Sequence, residues 1–402
     1  MKRSQTFEFR AVSRPCRLHS GDGALDRIGD ELKRAGVNRA LLICGRSVAT
    51  GTHLVEKISN ASDGRLAGVF DRMGKDAPID DIEAAVALAR EIGADGLIAL
   101  GGGSVVQATR ITAILLAEDG APEALATQYP DDGPAISPRL MADKLPIVNV
   151  LTIGTTAQDR GGSPSRRADG GRLEFFDPKT RPVALFWDRA ALASAPVSML
   201  RATAAMTYWR ALVDMGYQRA PILADLNRRQ TYQVTRDLCT RLSAGDEGDE
   251  VRAQLCVATW MMNRAADDGA PGINTWASRV TYAFSTALFN RHQDVSQGAA
   301  NAAIAPTALR ELGSRDPQAL VGMADAAGLD AAPEDSLPDR LADHVAEVMA
   351  GLGHATRIGP LDVPRDSADP MLDAALTNFN ADPKREFRRE RDRLAEVLSA
   401  CW

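Results

Sequence analysis

The sequence predicts two domains: an α/β domain built on a parallel sheet over residues 1–188, and an all-α domain over residues 189–402. Three observations carry this. Short apolar runs alternate with helix-patterned segments through the first half. The runs are continuous rather than alternating, as in strands covered on both faces by helices. From Arg189 onward the texture becomes Ala-rich and helical to the C-terminus. A chain of 402 residues also exceeds what one core comfortably holds.

Taken in order, RALLICG (39–45) reads as a buried strand closed by a glycine. GTHLVEKISNA (51–61) reads as a helix and LAGVFDRM (66–73) as a strand. PIDDIEAAVALAREIGA (78–94) is a strong helix, with Pro78 near its start and acids in its first turn. DGLIALGGGS (95–104) is a strand entering a glycine turn, and VVQATRITAILLA (105–117) is the helix after it. LPIVNVLTI (145–153) is another strand. Residues 154–182, rich in Gly, Thr, Asp and Arg, suggest a loop and a hairpin strand, and RPVALFWD (181–188) is a further strand. Such βαβ alternation builds a parallel sheet. In the second half, residues 244–250 and 329–340 read as loops between helices.

Composition excludes several classes. The hydrophobic fraction is 45% and the charged fraction 25%, ordinary for a globular protein. The net charge of −6 argues against a nucleic-acid partner. The basic stretch KREFRRERDR is interrupted by Glu386, Glu390 and Asp392, which marks a solvated helix face. Cys16, Cys44, Cys239, Cys256 and Cys401 are scattered and odd in number, so no disulfide framework or zinc knuckle is expected, and Cys44 reads as a buried strand residue. The opening MKRSQTFEFR lacks an apolar signal-peptide segment, and no run approaches a membrane span. The expected location is the cytoplasm, with no membrane partner.

The most informative local motif is IALGGGSVVQATR. Gly101, Gly102 and Gly103 permit a bend with positive φ and leave no Cβ in the way of a ligand. The helix that follows aims its N-terminal N–H groups and positive dipole end at the same place, which suits phosphate. Ser104 adds a hydroxyl. The alternative is a turn that needs glycine for packing alone. The motif is not the GxGxxG fingerprint.

Four stretches in order, DGLIALGGGSVVQATRITA, LPIVNVLTIGTTAQD, RPVALFWDRAALASAPVSMLRATAAMTYWRALVD and QGAANAAIAP, together with the tail DPKREFRRERDRLAEVLSACW, resemble the iron-containing alcohol dehydrogenase superfamily, relatives of dehydroquinate synthase and glycerol dehydrogenase. The resemblance covers nearly the whole chain. It implies a Rossmann-like N-terminal domain, a helical C-terminal domain, an active site in the cleft between them and a homodimer or larger assembly. It also implies that Gly101–Ser104 and the loop with Thr152, Thr155 and Thr156 hold a dinucleotide.

Members with a metal hold it with one Asp and three His. Those positions fall at Thr207, at Ala211, near Ala283 and at Gln297, and TYAFSTALF (281–289) contains no His, Asp, Glu or Cys at all. Thr and Ala are not ligands here and Gln is a weak one, so no metal is expected. On the cofactor side, Gln107 and Arg110 stand where the family has Asp and Lys. At the end of the first strand, where an acid often engages the adenosine ribose, this chain has Gly45, Arg46 and Ser47. Arg46 suits a 2′-phosphate, so NADPH is at least as well served as NADH; the alternative is an exposed loop arginine.

Without a metal, a developing oxyanion needs other donors. Thr207, Tyr208, Arg210, His292 and Gln297 are the candidates, with His292 suited to proton transfer. Asp294 would orient His292 or cap a turn. Asp159, Arg160 and Arg172 are further candidates at the cleft mouth. His19, His53, His344 and His354 read as terminal or surface residues. The expected function is a metal-independent, NAD(P)H-dependent reductase of a small activated carbonyl or an adjacent C=C bond. The family's metal-independent branch, the maleylacetate reductases, is the nearest analogy, although this chain lacks histidines they keep. The alternatives are a non-redox lyase, isomerase or cyclase on the same scaffold, and a non-catalytic nucleotide-binding relative. In the last case Tyr208, Trp209, Tyr282 and Phe284 would fill the cleft.

Overall fold

In the computed structural model the chain divides into two compact units, Ser13–Pro196 and Val197–Trp402 together with Met1–Val12. The structure describes residues 4–130, 133–217, 219–270, 272, 275–329 and 337–402. The chain opens with β1 (Ser4–Thr6), which belongs to the helical unit.

The α/β unit runs β2 (Arg17–Gly21), α1 (Ile28–Arg34), β3 (Ala40–Cys44), α2 (Arg46–Gly51), α3 (Leu54–Ala61), β4 (Leu66–Phe70), α4 (Ile79–Glu91), β5 (Gly96–Gly101), α5 (Gly103–Ala117), α6 (Pro122–Leu125), β6 (Ile147–Leu151), β7 (Gly162–Arg166), β8 (Arg172–Phe176), β9 (Ala184–Asp188) and α7 (Arg189–Ala193). Six strands form one sheet in the order β2-β9-β6-β5-β3-β4, and every neighbouring pair is parallel. β3, β5, β6 and β9 are buried along their whole length, which is why each reads as an unbroken apolar run. β7 and β8 make the separate antiparallel hairpin. α4 follows the sequence closely: Pro78 precedes it, Asp80 and Asp81 fill its first turn, and Arg90 closes it.

The chain order within the sheet has one reversal. From β3 the chain steps outward to the edge strand β4. It then returns past β3 to β5 and continues the other way to β6 and β9. The direction of winding reverses between β3 and β5. In open α/β sheets the crevice outside the carboxyl ends of such a pair is where ligands bind.

Several expectations change. The segment 51–61 is two helices, because α2 starts at Arg46, directly after β3, and stops at Gly51. β2 was not anticipated: its sequence RLHSG lies largely exposed at the sheet edge, so it carries no apolar pattern. The division falls after Pro196 rather than after Asp188. The cause is α7, which Asp188 caps and whose Ala191 sits in the sheet's core.

The helical unit comprises α8 (Val197–Asp214), β10 (Arg219–Pro221), α9 (Ile222–Ser243), α10 (Asp249–Asp267), α11 (Trp276–Arg291), α12 (Gln297–Leu312), α13 (Pro317–Ala327), α14 (Leu337–Gly351), α15 (Ala368–Leu376) and α16 (Arg391–Ala400). It is not wholly helical, because β1 pairs in parallel with β10, Ser4 opposite Arg219. That pairing assigns the N-terminal residues to this unit. Helix α12 runs through the centre and packs on α8, α11 and α14. Gly298 lets it do so: a Cβ there would be driven into the backbone carbonyl of Ala202 on α8. Of the loop expected at 329–340, residues 330–336 lie outside the described residues, and α14 already begins at Leu337. The basic tail is solvated and ion-paired, with Arg391 on Asp373 and Arg393 on Glu311 and Glu396. No helix among the described residues is long and apolar enough to cross a membrane.

Candidate functional site

Three strands end together at the winding reversal. Cys44 of β3 pairs with Leu100 of β5, and Gly101 of β5 pairs with Leu151 of β6. The residues that follow, Gly45–Ser47, Gly102–Ser104 and Thr152–Thr156, therefore emerge at one edge of the sheet. Neighbouring strands lie about 4.8 Å apart, so the three segments span roughly 10 Å.

At the middle of this edge is the start of α5, a helix of 15 residues. Its N-cap is Gly102, which has no side chain to cap it. The first N–H groups of a helix have no intrahelical acceptor, and they carry about half a positive charge between them. Gly102, Gly103 and Ser104 are partly exposed, so these donors can be reached. The three glycines act differently from expectation. None of them adopts a positive φ; Gly102 is extended at φ −91. The strand runs straight into the helix without a left-handed bend. What glycine contributes is the missing Cβ. At Gly101 it would lie 2.8 Å from Val105 Cγ2, at Gly102 3.1 Å from Ile153 Cγ2, and at Gly103 3.2 Å from Thr155 Oγ1. Side chains here would close the space between α5 and the threonine loop.

Ser104 Oγ accepts a hydrogen bond from the Asp76 backbone N–H at 3.0 Å, so its own proton is free to be donated. Asp76 and Ala77 are both left-handed, at φ 61 and 53, a conformation that costs non-glycine residues energy. The turn is held from behind by Ser165 Oγ and the Arg166 N–H, which both donate to the Ala77 carbonyl. Sequence reading missed this turn; the only local signal for it is Pro78 at the next helix.

The threonine loop is anchored at both ends. The Thr152 N–H donates to the Gly101 carbonyl at 3.2 Å, and Thr155 Oγ1 accepts from the Ala157 N–H at 3.1 Å. Thr155 and Thr156 are partly exposed. Beneath the loop lies Arg110, which is only 1% exposed. Its guanidinium donates to Ser163 Oγ and to the carbonyls of Ala157, Arg160 and Gly162 at 2.5–2.9 Å. Burial pushes its pKa down to about 9, still well above neutral, so it is a buried cation solvated by backbone oxygens. Arg110 thus serves the loop from below rather than reaching a ligand. Asp159, considered for the cleft mouth, is instead buried beside Arg181 at 3.7 Å. Gln107 is partly exposed on α5, and Arg172 is partly exposed on β8.

On the other flank, Arg46 and Ser47 are exposed. Arg46 Nη1 meets Asp71 Oδ2 at 3.0 Å. Asp71 follows β4 and was not singled out from sequence, where it is one acid among many.

In the helical unit the catalytic candidates separate. Thr207 is buried and its hydroxyl donates to the Thr203 carbonyl one turn back. Tyr208 is buried too, hydrogen-bonded to His344 Nε2 at 2.9 Å and packed near Tyr232. Desolvation raises the Tyr208 pKa and lowers that of His344. Both Thr207 and Tyr208 therefore belong to the core, and His344 is not the surface residue expected. Nor are two others: His354 is partly buried, and His19 stacks on Phe186 at 4.8 Å. Arg210 is exposed, 4.0 Å from Asp214. Gln297 is exposed at the first position of α12, next to the N-cap Ser296. His292 caps the end of α11, and its Nε2 is buried without a hydrogen-bond partner among the described residues. Burial, then Arg291, lowers its pKa, against a smaller opposite pull from Asp366. Asp294 is exposed. Trp209 and Phe284 are buried core, whereas Tyr282 is 41% exposed.

Comparison with known proteins agrees with this architecture. The family model "iron-containing alcohol dehydrogenase" matches residues 15–189. A maleylacetate reductase of Pseudomonas sp. (strain P51) is 34% identical over 98 residues, 24% of this chain and 27% of that protein. A 4-hydroxybutyrate dehydrogenase of Cupriavidus necator is 28% identical over 187 residues, 46% of this chain and 47% of that protein. The chain thus spans between about a quarter and a half of the curated relatives it matches. Among solved structures, an NADH-dependent butanol dehydrogenase A of Thermotoga maritima superposes with a TM-score of 0.82 over 99% of both chains, at 18% identity, which shows the shared fold.

Proposed function

We propose, on the premise that residues 15–189 belong to the iron-containing alcohol dehydrogenase family, that this protein is an NAD(P)H-dependent reductase of a small activated carbonyl and works without a metal ion. The observation that carries the reading is the uncapped N-terminus of α5, opened by Gly102 and Gly103 at the winding reversal. It offers oriented N–H donors, a dipole end and the Ser104 hydroxyl in a space kept clear of Cβ atoms. Those features suit a pyrophosphate. Thr155 and Thr156 line one side of it, and Arg46 stands on the other, where a 2′-phosphate would lie.

The four positions that would hold a divalent ion by the family resemblance carry Thr207, Ala211, Ala283 and Gln297. None offers a carboxylate or an imidazole, Thr207 spends its hydroxyl on its own helix, and both alanines are fully buried. This donor set does not fit a divalent cation. A bound reduced nicotinamide supplies hydride, so the chain's task is to stabilise and protonate the oxygen. Arg210 and Gln297 offer exposed donors, and a carboxylate next to the carbonyl would both activate it and pair with Arg210. In this reading His292, five residues before Gln297, would supply the proton. Fluorescence titration of the purified protein, dialysed against a chelator, is expected to show saturable binding of NADPH, NADH or both. Binding of neither would end this reading, and turnover without any nicotinamide would favour a lyase or isomerase instead.

The role of His292 has a pH signature. Its pKa is lowered, so its acid form is lost below the ordinary value of 6.5 as pH rises. The reductive rate should increase as pH is lowered from 8 toward 6. His292→Asn should flatten that profile and reduce kcat on the order of 100-fold. An unchanged pH profile in the variant would remove His292 from the mechanism.

A further inference from the structure

We propose that Asp71 sets the choice between NADPH and NADH by acting as the resident counter-ion of Arg46, a reading that rests on the crevice being a dinucleotide site. A pyrophosphate on α5 places the adenosine ribose over a strand next to β5, and on the side away from the threonine loop that strand is β3. β3 ends at Cys44, followed by Gly45 and Arg46. The segment carrying Asp71 is tied to the same spot. The Met73 N–H donates to the Cys44 carbonyl at 3.0 Å, and the Met73 carbonyl lies 3.3 Å from where a Cβ on Gly45 would stand. Phe70, the last residue of β4, pairs with Ile43. The segment carrying Asp71 is therefore held beside the segment carrying Arg46 by the backbone, and the two side chains meet at 3.0 Å.

Both side chains remain reachable, at 63% exposed for Arg46 and 38% for Asp71. The two dinucleotides meet them differently. A 2′-phosphate brings nearly two negative charges. It must draw Arg46 from Asp71 and then sit beside an acid that repels it. A 2′-hydroxyl is neutral and can donate to the Asp71 carboxylate. Arg46 by itself favours NADPH, and Asp71 opposes that preference. Two like charges a few ångströms apart in a wet crevice correspond to about a fivefold change in affinity.

The test measures dissociation constants for NADPH and NADH by nicotinamide fluorescence in the unmodified protein, Asp71→Asn and Arg46→Gln. Both sites are surface positions, and thermal melts will verify that the variants are folded. Asp71→Asn is expected to raise the NADPH:NADH affinity ratio about fivefold at low salt, with a smaller gain at high salt because the charges are screened. Arg46→Gln is expected to lower the same ratio by about tenfold. An unchanged ratio in Asp71→Asn, or a lower one, which would mean that Asp71 positions Arg46 for the phosphate, overturns the proposal. If the unmodified protein binds neither dinucleotide, the reading of the crevice fails and the proposal falls with it. If it binds one and the ratio does not respond, only the role of Asp71 fails.

Discussion

Gly298→Ala is expected to destabilise the helical unit by about 3 kcal/mol or more, although alanine is the better helix former. Two effects of opposite sign compete. Replacing glycine by alanine inside a helix stabilises it by about 1 kcal/mol. Against this, the new methyl group meets the Ala202 carbonyl and Cα, which are backbone of α8 and cannot rotate away. Relief requires α8 and α12 to separate. Both helices are heavily buried, and α12 also packs on α11 and α14, so separation would loosen the centre of the unit. For a unit of this size the shift in Tm should be about 6–12 °C downward, read by circular dichroism. Gln297→Ala, one residue earlier but exposed, is the control and should stay within about 0.5 kcal/mol. If Gly298→Ala melts with the control, the close approach of α8 and α12 is wrong.

Arg110→Met should be the second large effect. The substitution keeps a long side chain in place but deletes every donor. It leaves Ser163 Oγ and the carbonyls of Ala157, Arg160 and Gly162 without their partner in a buried setting. Each orphaned polar group costs about 1–3 kcal/mol, and partial relaxation brings the expected total to about 3–5 kcal/mol. Lysine restores the charge but only one compact donor group, so Arg110→Lys should recover less than half. Urea denaturation gives the stability, and a parallel NADPH titration tests the loop, because these same carbonyls fix the segment after Thr155 and Thr156. A structural Arg110 predicts that stability and binding fall together. Weaker binding at unchanged stability would mean that Arg110 contacts the ligand instead.

These two residues also show where local sequence stops being informative. GGGS was legible as a strand-to-helix turn, but not for the positive φ expected of it. Positive φ can be guessed from glycine; that these glycines instead clear space against Val105, Ile153 and Thr155 depends on contacts the turn makes, most of them with another loop. Arg110 was noticed only as a departure from the family's Lys, because its acceptors lie 47–53 residues further along the chain. Arg46 was noticed, yet its partner Asp71 is 25 residues away and looks like any surface acid. Tyr208 read as a site residue until His344, 136 residues away, appeared opposite its hydroxyl. β2 and the β1–β10 pair escaped notice because exposed or three-residue strands carry no periodic pattern.

What the sequence by itself determined is the layered architecture: buried strands β3, β5, β6 and β9, the helix α4 with its terminal charges, and the glycine turn before α5. Each depends on burial pattern or chain geometry within a few residues, and both are written locally. The tertiary structure alone decided what the polar and charged groups do. Whether an arginine supports a loop from beneath or pairs with an acid at the surface, and whether a glycine bends the chain or admits a neighbouring helix, depends on which distant residues arrive beside it. A hydrogen bond or a steric contact is specified by two partners, and the local pattern contains only one of them.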